Sequence, residues 1–429
     1  MNHLMKKVLI IVPSGAVARD FFECGLIAEL VKEKNLSIEI WSHENVFDFL
    51  KKNYKCYNLK IDVLPYAPLG WFTGNILELR HFFTRRKCVS VMKFIFSIEK
   101  YLSHDNDLKK KLLASDPGLI IFPTPRYIDY EVKLGLIANK LGIKLLCVVS
   151  SWDNMSKNPL LLRFDDLFVW NVHMKNWAVE KHFYSTNMVD IVGALQFDPH
   201  FHRIRESISD SKREDEKPVN IVYATLGLLN WNFKEDEFIL YLHDIIHKLN
   251  TKKKIKLILR LHPHDQSRFK GKFENLNGVE IHSNKIDYDP EKRSGDWYMK
   301  KDDIGAVQDI LMKTDLLLNM GTTLHIESII FNVPSFIVNF HPGNDEYVKI
   351  NLKKIAFDKH FSPLIKKGLI NFISCENELI GILERFSRGE NLNIPERDAL
   401  IKEVVEYSDG QTAKRINDGI KKLIGEQSV

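Results

Sequence analysis

The sequence predicts an α/β protein of two consecutive domains, each built around a parallel β-sheet. Three observations support this prediction: a length of 429 residues, short apolar runs that alternate with helix-periodic stretches, and one charged interval that interrupts the alternation. A chain of this length exceeds the size at which a single hydrophobic core stops growing, so two domains are expected. Strands interleaved with helices favour a parallel sheet.

The first domain, predicted at residues 1–200, opens with a continuous apolar run at 8–12, a turn at Ser14-Gly15 and a helix-periodic stretch. This order is typical of the start of a doubly wound sheet. A helix is predicted over residues 131–141. Further strands are predicted at residues 37–41, 59–64, 119–122, 144–149 and 189–192.

A charged stretch without strand patterns follows, and we interpret residues 201–218 as a linker. The second domain is predicted at residues 219–395 and a helical tail at 396–429. The strands of the second domain are predicted at residues 219–224, 256–261, 279–281, 315–318 and 335–338.

The composition indicates a cytoplasmic protein that does not cross a membrane. No stretch approaches the ~20 apolar residues that a membrane span requires, and the apolar run near the N-terminus is too short for a signal peptide. The formal net charge of +5 is small for this length and does not indicate nucleic acid as a partner. The cysteines are odd in number, scattered and without CxxC spacing, which favours free thiols in a reducing compartment: Cys24, Cys56, Cys88, Cys147 and Cys375.

Two motifs of the second domain lie where predicted strands end. The first is Arg260-Leu261-His262-Pro263, in which Arg260 or His262 can reach an anionic group. A plain strand-terminating turn would have the same sequence pattern. The second is Gly321-Thr322-Thr323, followed by a helix with His325 and Glu327. Glycine permits close backbone approach, and hydroxyls beside a helix N-terminus suit a phosphate. Helix capping by the threonines and favourable dipole placement of the glutamate are the structural alternatives.

Together the two motifs resemble the donor-nucleotide domain of GT-B glycosyltransferases. The most similar members are bacterial surface-polysaccharide enzymes, including CMP-sugar transferases and CDP-glycerol glycerophosphotransferases. The resemblance covers most of residues 220–422 and implies two Rossmann-like domains with parallel sheets that face a cleft. It extends to a segment that resembles the C-terminal helix that crosses back in such enzymes, Tyr407-Ser408-Asp409-Gly410-Gln411-Thr412-Ala413-Lys414-Arg415-Ile416.

The resemblance also implies roles for individual residues. His262 and Pro263 would flank the nucleotide phosphate or ribose, and His262 is one candidate catalytic residue. Thr322 and Thr323 would bind phosphate, and Glu327 would bind the ribose. Arg260, Gly321 and His325 complete the substrate-binding prediction on this side. The acidic pair followed by glycine that supplies the base in this family has no clear counterpart in the N-terminal half.

A candidate base lies in the first domain, directly after the strand predicted at 144–149. Asp153 could take a proton from an acceptor hydroxyl, and Trp152 could stack on a sugar ring. A packed tryptophan and a capping aspartate are the structural alternative. Further substrate-binding candidates at the strand ends of this domain are Ser14, Gly15, Arg126, Asn154 and Lys157.

We predict neither a cofactor nor a bound metal. Asp287-Tyr288-Asp289 matches the D-x-D metal motif of another transferase fold but lies in a polar loop, and the histidine pairs lack metal-site spacing. The basic stretch at residues 80–87 and the apolar stretch at 92–98 could contact the inner membrane surface, with a solvated loop as the alternative.

The function predicted from these features is glycosyl transfer from a nucleotide-sugar donor to a glycan or lipid-linked hydroxyl acceptor. The product would be a surface polysaccharide or glycolipid, such as capsule or lipopolysaccharide. Transfer of an alditol phosphate from a CDP donor and a non-catalytic glycan- or nucleotide-binding module are the alternatives. A sugar-nucleotide 2-epimerase shares the fold, but Gly321-Thr322-Thr323 replaces its Ser-Gly-Gly turn.

Overall fold

The structure is a computed structural model with two compact units, which are described separately here. One unit comprises Met1–Asp198 with Val405–Val429, and the other comprises Pro199–Arg293 with Met299–Val404. The structure describes residues 6–57, 59–86, 91–92, 94–95, 98, 101, 104–125, 128–157, 160–207, 218–227, 234–249, 253–269, 271–283, 301–343, 346–356, 361–390, 392 and 397–425.

The first unit contains a parallel sheet of seven strands in the order β3-β2-β1-β4-β5-β6-β7. The middle strands are apolar and buried on both faces, as a sheet covered by helices requires. The strands are β1 (Lys6–Val12), β2 (Leu36–Ser42), β3 (Lys60–Val63), β4 (Leu119–Phe122), β5 (Lys144–Val148), β6 (Asp166–Val169) and β7 (Val189–Ile191).

Helices connect these strands. Two π-helical turns, Arg19–Glu23 and Ile128–Val132, follow the neighbouring strands β1 and β4. The α-helices are α1 (Gly15–Ala18), α2 (Leu26–Leu30), α3 (Glu44–Asn53), α4 (Trp71–Arg85), α5 (Asn106–Ser115), α6 (Lys133–Leu141), α7 (Asn154–Lys157) and α8 (Val172–His182).

The second unit contains a parallel sheet of six strands in the order β10-β9-β8-β11-β12-β13. Its central register aligns Tyr223 of β8 with Leu259 of β9 and Leu318 of β11. The strands are β8 (Val219–Ala224), β9 (Ile255–Arg260), β10 (Val279–His282), β11 (Leu316–Asn319), β12 (Ser335–Val338) and β13 (Phe372–Ile373).

Residues 198–207 form a helix, α9, although the sequence predicts a linker from residue 201. Residues 208–217 of that interval lie outside the described residues. The helices are α9 (Asp198–Ser207), α10 (Glu235–Lys248), α11 (Gln266–Phe269), α12 (Lys301–Lys313), α13 (Leu324–Ile330), α14 (Glu346–Ala356), α15 (Ser362–Lys366), α16 (Glu376–Ser387) and α17 (Arg397–Val404).

The chain returns to the first unit through its last helix, α18 (Thr412–Leu423). The Asp198 carboxylate accepts a hydrogen bond from the Ala413 amide at 3.1 Å, and Asn417 donates to Glu33 at 2.7 Å. The predicted α/β fold of two parallel-sheet domains with C-terminal helices that cross back is therefore confirmed. None of the helices in the described part of the chain is long and apolar enough to cross a membrane.

Side chains of the second sheet alternate between two core clusters. Leu257 and Leu259 of β9 belong to the larger cluster, which includes residues of α10 and α16. Ile258 belongs to the smaller cluster, which includes residues of α12. Because side chains alternate along a strand, Arg260 lies on the same face as Ile258.

Candidate functional site

Three neighbouring strand ends in the second unit carry most of the residues predicted for nucleotide binding. β9, β8 and β11 are adjacent and parallel, so their carboxyl ends share one edge of the sheet. Thr225 directly follows β8, while His262 and Gly321 lie just beyond β9 and β11. Open parallel sheets bind ligands at this edge.

Contacts through Thr225 join the ends of β8 and β9. Its amide donates to the Arg260 carbonyl at 3.0 Å, and its hydroxyl accepts from the His262 amide at 2.9 Å. The neighbouring Gly227 has a φ of +71°, and a Cβ added there would lie 2.1 Å from Nδ1 of His262. The half-buried imidazole therefore packs against a backbone position that requires glycine.

Two buried carboxylates hold the loop after β8. Glu235 accepts hydrogen bonds from the Leu226 amide at 2.9 Å and the Tyr223 hydroxyl at 3.1 Å. Asp265 accepts from the Gly227 amide at 2.9 Å. Burial and the negative charge of Asp265 together raise the pKa of Glu235 to about 8. The two carboxylates thus position the loop that contacts His262.

The turn after β11 is organised by Asn319. Its side-chain oxygen accepts from the Gly321 amide at 2.8 Å and the Thr322 amide at 3.1 Å, while its amide group donates to the Phe336 carbonyl at 3.2 Å. Gly321 adopts a φ of +105°, which explains the glycine. The two turn amides are therefore engaged by Asn319.

The threonine hydroxyls of this turn retain hydrogen-bonding capacity. The Thr322 hydroxyl is buried and has no hydrogen-bond partner among the residues that the structure describes. Thr323 is exposed, precedes α13 and makes no side-chain capping bond. The exposed Thr323 hydroxyl is therefore open to a ligand, whereas the Thr322 hydroxyl would have to rotate to reach one.

His325 occupies the interior of the second unit. Its side chain has no exposed surface, and Nδ1 lies 2.7 Å from the Ser335 hydroxyl. Burial lowers the pKa of His325 to about 3, so the ring is neutral. This position differs from the predicted substrate contact, because a fully buried side chain cannot touch a ligand.

Glu327, two residues further along α13, belongs to a polar network. Its Oε2 lies 3.2 Å from Nε2 of His200 on α9, and Nδ1 of His200 lies 3.2 Å from the Gln308 side chain. His200 is almost fully buried, whereas Glu327 is half-buried. The carboxylate predicted to bind ribose is therefore oriented by a histidine that the sequence interpretation does not assign to the site.

Arg260 lies near the same carboxylate. Burial lowers its pKa to about 10, and the charges of Glu327 and Asp303 oppose that shift. The guanidinium remains positively charged at neutral pH. It thus supplies a fixed positive charge beneath the carboxyl edge of the sheet.

The remaining motif residue, Pro263, is buried and begins a short 3₁₀ turn, Pro263–Asp265. In this turn the Asp265 amide donates to the His262 carbonyl at 2.8 Å. Pro263 therefore ends the strand and directs Asp265 towards the loop after β8.

The first unit presents a second polar group at its own strand ends. β4 and β5 are joined beyond their ends by reciprocal bonds, in which the Thr124 and Ser150 amides each donate to the other residue's hydroxyl at 3.2 Å. Asp153 follows, and its Oδ1 accepts from the Ser151 hydroxyl at 2.7 Å and the Asn154 side-chain amide at 3.3 Å. The carboxylate is half-buried and oriented by its neighbours.

Other predicted residues of the first unit have structural positions. Trp152 is only 8% exposed, so it does not offer the ring face predicted for sugar stacking. Ser14 caps α1 through the Val17 amide at 3.5 Å, and Gly15 is the buried first residue of that helix. Arg126 lies outside the described residues, as does the side chain of Lys157, whose backbone ends α7.

Metal ligands are not grouped in the described part of the chain, where no three His, Cys, Asp or Glu side chains could hold an ion together. Asp287 and Asp289 lie outside the described residues. The site residues that sequence reasoning misses are Thr225, Gly227, Glu235, Asp265, His200 and Asn319. Only Gly227 carries a sequence signal, since a glycine directly after a buried strand resembles the other strand-end turns.

Comparisons with known proteins establish the fold. No protein-family model matches the sequence, and no curated protein matches it in sequence. The S. aureus MnaA–UDP structure is similar along 99% of this chain and 98% of its own, with a TM-score of 0.59 and 12% identity. The UDP-GlcNAc 2-epimerase from Neisseria meningitidis bound to UDP-GlcNAc matches 97% of this chain and 100% of its own (TM-score 0.57, 12% identity).

A third structure, the Methanocaldococcus jannaschii UDP-GlcNAc 2-epimerase in complex with UDP-GlcNAc and UDP, has a TM-score of 0.56 and 14% identity. That alignment covers 97% of this chain and 99% of the other. At such identities the likeness shows the fold alone, the two-domain GT-B type. These neighbours are UDP-sugar enzymes rather than CMP-sugar or CDP-glycerol transferases.

Proposed function

We propose that the chain is a glycosyltransferase that uses a nucleotide-sugar donor and a hydroxyl acceptor. The observation that carries the proposal is the set of polar residues at the adjacent ends of β9, β8 and β11. In open parallel sheets this edge binds nucleotides. The fold, which UDP-sugar enzymes share, supports the same reading.

In this proposal the second unit binds the donor. The Thr322 and Thr323 hydroxyls donate to the phosphates, and Glu327, oriented by His200, accepts from the ribose hydroxyls. His262 lies beside the phosphates, and Arg260 stabilises the negative charge that develops on the leaving nucleotide. These groups act without a metal ion, so activity is expected to persist in EDTA.

The first unit supplies the base for the acceptor hydroxyl. Ser151 and Asn154 both donate to Oδ1 of Asp153, which fixes the carboxylate plane. A carboxylate has about four acceptor positions, so it can also receive the acceptor's hydroxyl proton. In the transfer step the acceptor oxygen bonds to the sugar carbon, the bond to the nucleotide phosphate breaks, and Asp153 takes the proton.

A second candidate is epimerisation of a UDP-sugar. The observation in its favour is the similarity to UDP-GlcNAc 2-epimerases along 97–99% of the chain. The turn at Gly321-Thr322-Thr323 counts against it, because this sequence replaces the Ser-Gly-Gly turn of the epimerases.

The first experiment is a thermal-shift screen against UDP-, CMP-, CDP-, GDP- and dTDP-sugars. A ligand at about 100 times its Kd adds ~2.7 kcal/mol of stability, which is readily measured. The selected donor is then incubated in D₂O with and without glycan or lipid-linked acceptors. Nucleotide release that depends on an acceptor supports transfer, whereas deuterium at C2 without net release supports epimerisation. Binding without either reaction indicates a non-catalytic module, and no binding contradicts the proposal.

Substitution of Asp153 tests the base. Asp153→Asn should bind the donor normally and transfer roughly 10²–10⁴-fold more slowly, because the donor residues lie in the other unit. Asp190→Asn, at an exposed position on β7, is the matched control and should retain activity. Turnover of Asp153→Asn within about threefold of the parent would exclude this role.

A further inference from the structure

Helix α4 carries an exposed apolar stripe. Trp71 is 83% exposed, Leu79 is 43% exposed and Phe82 is 48% exposed. At 100° per residue these positions fall within an arc of about 80°, which also contains Arg86, one residue beyond the helix. The Arg86 guanidinium lies 3.7 Å from the centroid of the Phe82 ring. We call these four residues the aromatic face.

The opposite side of α4 faces the interior of the first unit. Leu77 is 3% exposed and Arg80 is 1% exposed, and the Arg80 guanidinium donates to the Leu160 carbonyl at 2.9 Å. The helix therefore buries an arginine and exposes a tryptophan, which reverses the usual pattern of a surface helix. These contacts fix the buried side of α4, and therefore also fix which residues the helix exposes.

The apolar exposure continues around α4 in the sequence. Of the thirteen large hydrophobic residues that are exposed in the described part of the chain, seven lie between residues 66 and 101. Large exposed apolar patches mark sites of contact with proteins, ligands or membranes. The members outside the aromatic face are Tyr66, Val91, Phe94 and Tyr101.

The charge of the same segment indicates the kind of surface that it contacts. Residues 66–101 contain six Lys or Arg and two Glu, a net charge of +4, while the whole chain carries +5. One of the six cations, Arg80, is buried on the inner side of α4, and the remaining five Lys or Arg and two Glu still sum to +3. One of the two acidic residues, Glu78, is exposed on α4 close to the stripe.

We propose that the aromatic face docks on the surface of an anionic lipid bilayer. Tryptophan and tyrosine favour the boundary between lipid headgroups and acyl chains, and nearby arginines bind anionic headgroups while their stems remain in apolar surroundings. A helix of fifteen residues lies in this boundary rather than crossing it. A purely protein partner would not require the matching excess of positive charge.

The proposal is independent of the proposed glycosyl transfer, because vesicle binding is measured without nucleotide or acceptor. The full chain is sedimented with sucrose-loaded vesicles of phosphatidylcholine, alone or with 30 mol% phosphatidylglycerol. Binding to the anionic vesicles is expected, with weaker binding in 0.5 M NaCl because salt screens the attraction. The variant Trp71→Ser/Leu79→Ser/Phe82→Ser should bind at least about tenfold less tightly.

The control variant replaces exposed apolar side chains of the second unit instead of those on α4. Leu240→Ser/Met312→Ser/Ile350→Ser changes three exposed residues of the second unit, at 44%, 45% and 50% exposure, and should bind as the parent does. Circular dichroism and melting temperature verify that both variants fold. Equal binding by both variants, or no binding of the parent to anionic vesicles, would overturn the proposal. A parent dimer that the Trp71 variant converts to monomer, without vesicle binding, would assign the face to a second copy of the chain.

Discussion

Glu235 lies in an environment unlike that of an ordinary carboxylic acid. It is 1% exposed, and burial together with the nearby charge of Asp265 raises its pKa from 4.5 to about 8. Between these two values the folded chain keeps a proton that the unfolded chain releases. The stability that this group contributes is therefore complete below pH 4.5 and is lost as the pH rises towards 8.

Glu235→Gln should remove this pH dependence. Glutamine retains an acceptor for the Leu226 amide and the Tyr223 hydroxyl but does not titrate. We expect the unfolding free energy of the parent to fall between pH 5 and pH 8 more steeply than that of the variant, as measured by urea unfolding. Glu237→Gln, an exposed position on the same helix, is the control and should follow the parent. Parallel pH profiles for Glu235→Gln and the parent would refute the assigned pKa.

Gly227 provides a second test at the scale of one residue. Gly227→Ala combines an unfavourable φ of +71° with a Cβ 2.1 Å from the His262 ring, so the imidazole must move. Gly271→Ala is a matched control with a φ of +76° and no atom within 4 Å of the added Cβ. The control should lose about 1–2 kcal/mol for backbone conformation alone, and Gly227→Ala should lose at least ~1 kcal/mol more.

The same pair tests the role of His262 in the donor site. If His262 contacts the nucleotide, displacement of its ring should weaken nucleotide affinity by about tenfold in Gly227→Ala. Gly271→Ala should keep the affinity of the parent, since Gly271 is exposed and the added Cβ meets no atom within 4 Å. Isothermal titration at a temperature where both variants remain folded measures this difference. Equal affinities in both variants would remove His262 from the donor site.

At the scale of elements, the turn between β11 and α13 depends on one buried side chain. Asn319→Ala should cost roughly 2–4 kcal/mol, because the Gly321 and Thr322 amides lose their acceptor. Asn319→Asp retains an acceptor for these amides but cannot donate to the Phe336 carbonyl, so an intermediate loss is expected. Denaturant unfolding of the three proteins gives the order. If the alanine variant were as stable as the parent, Asn319 would not organise this turn.

Long apolar strands and strand-end turns could be predicted from the sequence, because local pattern determines them. β6 is absent from the prediction because Asp166–Val169 is four residues long and begins with an acid beside another acid, Asp165. β13 has only two residues, too few for a pattern. Helix α9 overlaps the interval predicted as a linker, because its histidines and arginines are typical of a solvated segment. The contact of His200 with Glu327 is tertiary, so the local sequence does not show it.

The candidate site shows the same limit. The motifs locate Arg260, His262 and the Gly321 turn, but they do not reveal which side chains point inwards. His325 and Glu327 are two residues apart on α13, about 200° around the helix, so one is buried and the other reaches His200. Partners such as Glu235 and Asp265 are separated in the chain and are brought together only by the tertiary fold, which local patterns do not encode.

At the scale of the whole molecule, the proposal assigns donor binding to the second unit and the catalytic base to the first. The second unit carries the strand ends of β8, β9 and β11, while Asp153 belongs to the first unit. A nucleotide without its acceptor should therefore stabilise the two units unequally. Binding at one site slows exchange most for the amides whose opening breaks contact with the ligand.

Hydrogen exchange with the nucleotide selected by the thermal screen measures this difference. We expect added protection in peptides that cover residues 219–227, 255–269 and 316–330, and little change in peptides that cover 119–125 and 144–157. The corresponding nucleoside, which lacks phosphates, is the control and should protect the Gly321 turn much less, because the Thr322 and Thr323 hydroxyls are assigned to phosphate. Dominant protection of the strand ends of β4 and β5 would place the nucleotide on the first unit instead. In that case Asp153 could not be the base for a separate acceptor, and the roles proposed for the two sheets would have to be exchanged.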